Sequence, residues 1–329
     1  MILLITYQGD PVALAAETML RARGVPFARF ESLTFPECGS LTQRFGPHGA
    51  IERRIVADGK TIDLADLTAV WHRRHRTKGS SEIADARMRK FAQIETEQVL
   101  IQTWSDLAVR FLPAPLAVIR AGQEKLRQLR LATALGLEIP ATLVTTDPAE
   151  LLAFHREHDG RLITKLLGSS SMCEAGLSNE YSRFTESVSV RDLAARDCVR
   201  VCPVYAQANV PKAFELRITV VGARVFAAEI HSQSARHGRD DWRKAGPAAV
   251  LYRRHSLPRA ISDRCVALVQ SLGLTYGAID MVVRPDGAYV FIEINPAGEY
   301  HWVEKRTGLP ITAAIVDFLT QPVAVRKSA

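Results

Sequence analysis

The stretch Gly277-Ala-Ile-Asp280-Met-Val-Val-Arg-Pro285-Asp-Gly287-Ala-Tyr289-Val-Phe-Ile-Glu293-Ile-Asn295 decides how the rest of the chain is read. Two runs in which apolar residues alternate with others flank a Pro-Asp-Gly turn signal, the pattern of a β-hairpin. A two-residue and a four-residue loop give the same register, with Arg284 opposite Tyr289 and Asp280 opposite Glu293. Strand parity then puts Asn295 on the face of Glu293. Two carboxylates directly opposed across strands repel each other. Their neighbours Ile279, Met281, Val282, Phe291, Ile292 and Ile294 argue against free solvation. A hard divalent cation relieves such an oxygen-rich cluster, and Mg²⁺ held by few protein oxygens plus substrate phosphates suits it. The competing reading is an exposed sheet face that carries acids by chance.

Bulk properties narrow the classes. With 329 residues the chain can bury a sizeable core and is long enough for two or three domains. A hydrophobic content of 47% against 23% charged residues excludes a disordered chain. No apolar run approaches ~18 residues, so no membrane span or membrane partner is expected. The opening Met1-Ile-Leu-Leu-Ile is too short for a signal peptide and reads as a first strand. Five scattered cysteines (Cys38, Cys173, Cys198, Cys202, Cys265) lack zinc spacing and read as reduced thiols of a cytoplasmic protein. The net charge of +7 favours an anionic partner. Its positive residues cluster at Arg73 to Lys78, around Arg127 and Arg130, and from Arg236 to Lys244. Helix-turn-helix, zinc-finger and RNP signatures are not evident, so nucleic acid is not the expected partner.

Along the chain, residues 1 to about 70 read as an α/β unit: strand Ile2 to Tyr7, helix Val12 to Arg23 stopped by Gly24, strand Pro26 to Phe30. No Gly-x-Gly-x-x-Gly follows the first strand, so this part is expected to scaffold rather than bind a dinucleotide. Ala69-Val70-Trp71 ends a strand, and Arg73-Arg74 lead into a loop. A long helix is expected from about Ser81 to Leu107, with Phe91, Ile94, Ile101 and Trp104 on one face. Pro113 and Pro115 then mark a domain boundary. Beyond it come a helix from about Gln123 to Leu135 and a helix opened by Asp147-Pro148. A strand from Arg161 to Leu167 follows, and another from Val199 to Tyr205. Phe214 to Val221 and Arg224 to His231 form a second hairpin about Gly222-Ala223. Ser262 is expected to cap a helix with the face Cys265, Leu268, Val269 and Leu272. Asp240 to Arg243 fall in an expected mobile loop, and the last ten residues in a frayed basic tail.

Lys165 sits inside an apolar strand just before Gly168-Ser169-Ser170-Ser171. A buried ammonium needs an anion, and backbone N–H groups of such a loop can cradle phosphate oxygens. The alternative is an edge-strand lysine that snorkels to solvent. Lys125, in the first turn of a helix, adds a second phosphate contact or is an ordinary surface lysine. Gln207-Ala-Asn209-Val210 form a linker that can offer polar groups to an adenine edge. Beyond Lys212, Glu215 and Arg217 share a strand face by parity. They can place a carboxylate on a ribose and a guanidinium on phosphate or a substrate carboxylate; a salt bridge between them is the alternative.

Those parts, taken in order, resemble the ATP-grasp ligases, in which an Asp, a Glu and an Asn hold magnesium ions. Lys125, Lys165, Asp280, Glu293 and Asn295 match that pattern, and Gln207 to Val210 match its adenine hinge. A narrower resemblance rests on Trp71-His-Arg73-Arg74, Lys212-Ala-Phe-Glu215-Leu-Arg217, Glu229-Ile-His231-Ser-Gln233 and Glu293-Ile-Asn295-Pro-Ala-Gly298-Glu-Tyr-His-Trp302-Val-Glu304. Together these are similar to the ATP-grasp ribosomal peptide maturases, the microviridin- and plesiocin-type macrocyclases that make graspetides. His72 stands where that family often has another aromatic residue.

The resemblance implies an α/β (α+β) ATP-grasp fold. A Rossmann-like pre-ATP-grasp domain over 1–115 would precede two α+β domains, 116–205 and 206–329, that clamp ATP. It implies ATP and Mg²⁺ as cofactors, a precursor peptide with a leader and an acidic core as partner, and a homodimer. Asp or Glu side chains of that peptide would be activated as acyl phosphates and joined to Ser/Thr hydroxyls or Lys amines. Asp280, Glu293 and Asn295 would hold the metal. The nucleotide would lie against Lys125, Lys165, Gly168, Ser169, Ser170, Gln207, Asn209, Val210, Lys212 and Glu215. Arg217 would hold the transferred phosphate or acyl-phosphate oxygens, and His231 would orient the acceptor or take its proton, unless it is an ordinary strand-end histidine. Arg73 and Arg74 join Arg217 and His231 on the substrate side. Two competing readings are a ligase that adds a free amino acid to a peptide or protein, and a non-catalytic nucleotide-dependent binding module.

Overall fold

A computed structural model describes residues 1–168, 171–172, 181–182, 185–234 and 250–322. Its first segment holds strands β1 (Ile2–Ile5), β2 (Phe27–Phe30), β3 (Ser40–Phe45), β4 (Ile51–Ala57), β5 (Lys60–Asp63), β6 (Ala69–His72) and β7 (Arg110–Leu112), with helices α1 (Pro11–Ala22) and α2 (Ala86–Ser105). Four of the strands make a parallel sheet in the order β2-β1-β6-β7. The helix α1 starts where expected because Asp10 accepts the backbone N–H of Val12 and Pro11 takes the first turn, and Gly24, at φ +65, ends it. Beside this sheet stands an antiparallel one, β3-β4-β5, that the sequence reading left undescribed.

The helix α2 departs from expectation. Leu100, Thr103 and Trp104 are its buried residues, whereas Phe91 and Ile94, placed by periodicity on the same face as Trp104, are exposed. Apolar residues occur on both sides of this helix, so periodicity alone could not choose the inward one.

The middle segment comprises α3 (Leu116–Gly122), α4 (Lys125–Ala134), β8 (Thr142–Thr145), α5 (Pro148–Glu157), β9 (Leu162–Lys165), the short β10 (Ser171–Met172), β11 (Tyr181–Ser182) and β12 (Glu186–Ser187), α6 (Val190–Ala194) and β13 (Val204–Ala208). Its main sheet runs β12-β9-β13-β8. The expected strand from Val199 is corrected: Ser189 and Asp192 form a capping box that starts α6, and Val199 lies in a 3₁₀ turn before β13.

The last segment holds β14 (Phe214–Val221), β15 (Arg224–His231), β16 (Leu251–His255), α7 (Arg259–Ser271), β17 (Tyr276–Val283), β18 (Tyr289–Asn295), α8 (His301–Thr307) and α9 (Ile311–Thr320). Its five-stranded antiparallel sheet runs β16-β15-β14-β17-β18. The helix α7 begins at Arg259 after Pro258, so Ser262 lies inside it rather than capping it. One face of this sheet presents Leu216, Ile218, Ile279, Met281, Phe291 and Ile294 to α7, α4 and α3. Each such buried side chain contributes about 1.5–3 kcal/mol, which fixes the strand phase. By parity Glu215, Arg217, Asp280 and Glu293 fall on the other face. A second cluster packs β1, α1 and β6 against Val221, Tyr276, α8 and α9, so the first and last segments share a core. Asp240 to Arg243, expected in a mobile loop, and the residues from 323 lie outside the described residues. Among the described residues no helix is long and apolar enough to cross a membrane, and Cys38, Cys198, Cys202 and Cys265 are free.

Candidate active site

The hairpin places Asp280 opposite Glu293 as expected, but by a different route. Arg284 pairs with Ala288 around a three-residue loop closed by Gly287 at φ +85, not with Tyr289. Val283 therefore faces Tyr289, one step out of the expected register. A bulge at Ile292 adds one residue to β18 and restores the pairing of Asp280 with Glu293. Ile292 and Glu293 then both line the same cleft.

The two carboxylates each have a protein cation. Arg217 Nη1 donates to both oxygens of Asp280 at 2.9 and 3.0 Å, and Lys125 ion-pairs with Glu293. The helix α4 is held beside β18 by buried Gln128, whose amide donates to the carbonyl of Ile294 at 2.8 Å and accepts its N–H at 3.1 Å. That seam delivers Lys125, the first residue of the helix, to Glu293. Repulsion between the acids is thus relieved by the protein itself, and the sequence argument that they need a metal loses its force.

Above the carboxylates lies a cleft of roughly 690 Å³, counting the space open to solvent. Lys165, Asn209, Val210, Lys212, Glu215, Asp280 and Glu293 all line it, so seven of the expected residues are brought together. Lys212 pairs with Glu215 at 2.7 Å, and Glu215 accepts from the Ser232 hydroxyl at 2.6 Å. Ala208, from the expected hinge, joins Pro140, Ile163, Val282 and Ile292 in apolar walls, the last four of which sequence reasoning missed. Polar residues announce themselves in a sequence, whereas apolar lining looks like core. A cleft with apolar walls, two lysines and a carboxylate floor suits a nucleotide polyphosphate.

Other expected residues stand apart from this cleft. Gln207 is fully buried and donates to the Thr142 hydroxyl at 2.9 Å; Ala208 takes its place on the wall. Gly168 is exposed, and Ser169 and Ser170 lie outside the described residues. Asn295 is exposed and its side-chain oxygen accepts the N–H of Ala297 at 3.0 Å. His231 belongs to the opposite face of the sheet, since Arg217 pairs with Ala228 and Glu229 and His231 alternate with it. There it bonds Glu229 at 2.7 Å, and Glu229 also bonds His255 at 2.8 Å. Burial pushes the Glu229 carboxyl upward, but its two histidine partners outweigh that and hold it below the ordinary range.

Next to the cleft is an arginine cluster. Arg73 Nη2 donates to both oxygens of Glu299 at 2.7 Å, and Arg74 pairs with the same carboxylate. Arg217 Nη2 donates to the backbone carbonyl of Glu299 at 3.0 Å. Gly298 permits this approach: a Cβ there would stand 2.7 Å from Arg217 Nη2 and 2.5 Å from the Ala278 Cβ. The Tyr276 hydroxyl, pushed up to about 12 by burial, donates to the Gly298 carbonyl at 2.6 Å. Burial, above all, pushes both His72 and His75 down to about 4, so neither adds charge at neutral pH. His72 Nδ1 lies 2.8 Å from the Ala114 carbonyl. Sequence reasoning placed the arginines and missed their pairing with Glu299.

The chain as a whole is similar to known proteins. The family described as the MvdD pre-ATP grasp domain matches residues 1–120. A Chryseobacterium gregarium RiPP-associated ATP-grasp ligase, solved in complex with ADP and a leader and core peptide, is 32% identical. It matches with a TM-score of 0.88 over 98% of this chain and 97% of that one. The chain belongs to the RiPP-associated ATP-grasp ligases. The macrocyclase MdnC of Microcystis aeruginosa MRC, solved with the precursor peptide MdnA, is 30% identical to this ligase. Its TM-score is 0.84 over 97% of this chain and 98% of that one. A probable alpha-L-glutamate ligase 1 of Shewanella sp. (strain ANA-3) is 25% identical over 211 residues, 64% of this chain and 67% of that protein. The ATP-grasp fold expected from the resemblance is borne out, and the chain is an ATP-dependent ligase.

Proposed function

We propose that this ligase activates Asp or Glu side-chain carboxylates of a ribosomally made precursor peptide and joins them to Ser/Thr hydroxyls or Lys amines, closing rings. The observation that carries this reading is the junction at Arg217. A nucleotide-sized cleft ends at Asp280, and the arginine that holds Asp280 also joins a cluster suited to carboxylates.

A free carboxylate does not condense with an alcohol in water, because oxide is the leaving group. In the proposed sequence a substrate carboxylate oxygen attacks the γ-phosphorus of ATP and ADP leaves, giving an acyl phosphate. The hydroxyl or amine then adds at the carbonyl carbon, phosphate departs, and the nucleophile's proton is lost to water or a base. Lys165 and Lys212 would hold the phosphates, Ala208 to Val210 the base, and Glu215 the ribose. Arg217 would steady the charge that develops beside Asp280. Proton transfer is not assigned to His231, which lies across the sheet from Asp280.

The carboxylates fit Mg²⁺: Asp280 and Glu293, opposed on the cleft floor, are hard ligands, and Asn295, outside the cleft lining but two residues along the same strand face, carries a hard amide oxygen. Asp280, Glu293 and Asn295 would hold the ion, which would neutralise charge on the phosphates. We place the peptide on the 1–115 part, the nucleotide between 116–205 and 206–329, and the enzyme as a homodimer in the cytoplasm. Light scattering in solution checks the dimer.

Incubation with Mg-ATP and an acidic peptide bearing Ser, Thr or Lys tests the function. Ring closure removes one water per ring from the peptide mass, with matching ADP. The glutamate ligase relatives support a second reading, in which the product instead gains an amino-acid residue. Absence of peptide-stimulated ADP release for every such peptide would overturn both.

A further inference from the structure

We propose that Glu299 is an internal stand-in for the substrate carboxylate: it fills the Arg73–Arg74 fork in the free enzyme and yields that place to an acidic side chain of the incoming peptide. The proposal rests on the ligase reading above and deepens it by assigning the carboxylate subsite and its built-in competitor.

Four observations support it. The fork is occupied by a carboxylate now, with both Glu299 oxygens on Arg73 Nη2 and one also on Arg74. The two sides of the pair are unequal in exposure: the Glu299 side chain is 41% exposed and that of Arg73 only 5%. The carboxylate can therefore be rehydrated as it leaves, whereas the buried guanidinium keeps only Asp10, near its Nε, and needs a further anion on the vacated Nη2. Arg73 is also under-satisfied, because its buried Nη1 has no hydrogen-bond partner and its Nε lies 3.4 Å from Asp10. Finally, Arg73 and Arg74 line a cavity of roughly 740 Å³, counting the space open to solvent, together with Arg76 and Arg120. Among the described residues the only acid on that wall, Glu97, is paired with Arg120.

Displacement would be reversible and needs no covalent step. The backbone carbonyl of Glu299 stays on Arg217 throughout, so the segment after Asn295 remains in place while its side chain moves. The effect is selective as well: a neutral side chain cannot displace a carboxylate from two guanidiniums, so Asn and Gln are rejected where Asp and Glu enter.

Fluorescein-labelled hexaglutamate, titrated by anisotropy without ATP, tests this, with hexaglutamine as the uncharged control. Glu299→Gln should bind hexaglutamate about tenfold or more tighter than the native enzyme, since the fork is no longer filled. Glu299→Ala should do the same, which covers the case in which the Gln variant misfolds. Glu157→Gln removes the same charge from an exposed position on α5 and should shift binding by less than about twofold. Adding Arg74→Gln to Glu299→Gln should abolish the gain. Equal or weaker binding by folded Glu299 variants, or an equal gain in Glu157→Gln, would overturn the proposal. Because no turnover is read, a failure of the ligase reading shows up separately, as absent ADP release.

Discussion

Arg217 grips both carboxylate oxygens of Asp280 with one amino group, at 2.9 and 3.0 Å, and gives the other to the backbone carbonyl of Glu299. The two residues face each other across β14 and β17, Arg217 buried and Asp280 half-buried, on a sheet face whose reverse is packed hydrophobic core. One guanidinium therefore ties the floor of the proposed nucleotide cleft to the arginine cluster around Glu299. A lysine cannot reproduce this, because a single ammonium lacks the planar fork. Arg217→Lys should lower peptide-stimulated ADP release about 100-fold or more. Affinity for a non-hydrolysable ATP analogue should change far less, since Arg217 does not line the cleft. Calorimetric binding and a coupled ADP assay separate the two.

Lys125 is the other cation on the paired acids, through Glu293. Removing it in Lys125→Gln leaves Asp280 and Glu293 with less compensating charge. Mn²⁺, as a probe of the divalent site, should then bind the nucleotide-free protein several-fold tighter, as read by titration calorimetry. An ATP analogue should bind more weakly if Lys125 also serves a phosphate. Looser Mn²⁺ binding would remove Glu293 from the metal set.

How much of this was readable in the sequence depends on which force decided each feature. The Glu215/Arg217 and Asp280/Glu293 faces were legible because a buried strand allows only one phase. The Ile292 bulge was not, since two errors of one residue cancel between the turn and Glu293 and leave the sequence pattern intact. The buried side of α2 was hidden because Phe91 and Ile94 are apolar without being inward-facing. Gln207 read as a hinge side chain from its position after Tyr205, yet the β13 pairing turns it into the sheet and leaves the wall to Ala208. Glu299 stands in the Glu293 to Glu304 motif, but its pairing was not legible there because it depends on Arg73 and Arg74, more than two hundred residues away.

Gly298 lies where three groups crowd. A Cβ there would meet the Ala278 Cβ at 2.5 Å and Arg217 Nη2 at 2.7 Å, and Ala278 sits in a central strand that cannot retreat. Gly298→Ala should destabilise the fold by about 2–3 kcal/mol in urea titrations and misplace Arg217. Gly277→Ala also meets a 2.5 Å contact, but with the Cδ1 of Ile294, a terminal methyl that can turn about χ2 where the Ala278 Cβ cannot, and should cost less.

Buried His72 makes stability depend on pH. Its pKa is lowered from 6.5 to about 4 by burial, so the unfolded chain binds its proton first. Its contribution is intact above pH 6.5 and is lost as pH falls from there towards 4, on the order of 3 kcal/mol in all. His72→Phe, beside Phe111, should show a flatter urea-stability profile across that window, whatever its stability at neutral pH.

Asn295 separates the family-derived metal set from what geometry alone supports. Its oxygen already accepts the N–H of Ala297, which spends one lone pair and leaves another for a cation. If it is a ligand, Asn295→Ala should reduce turnover about 100-fold and raise the Mg²⁺ needed for half-maximal rate, because one of three hard oxygens is gone. Asn295→Asp restores an oxygen donor and should recover part of that loss, most clearly at high Mg²⁺. A structural role in the turn predicts something else: Asn295→Ala would lower thermal stability while its Mg²⁺ dependence stayed that of the native enzyme. Measuring rate against Mg²⁺ for the three proteins, alongside their melting temperatures, decides between ligand and turn.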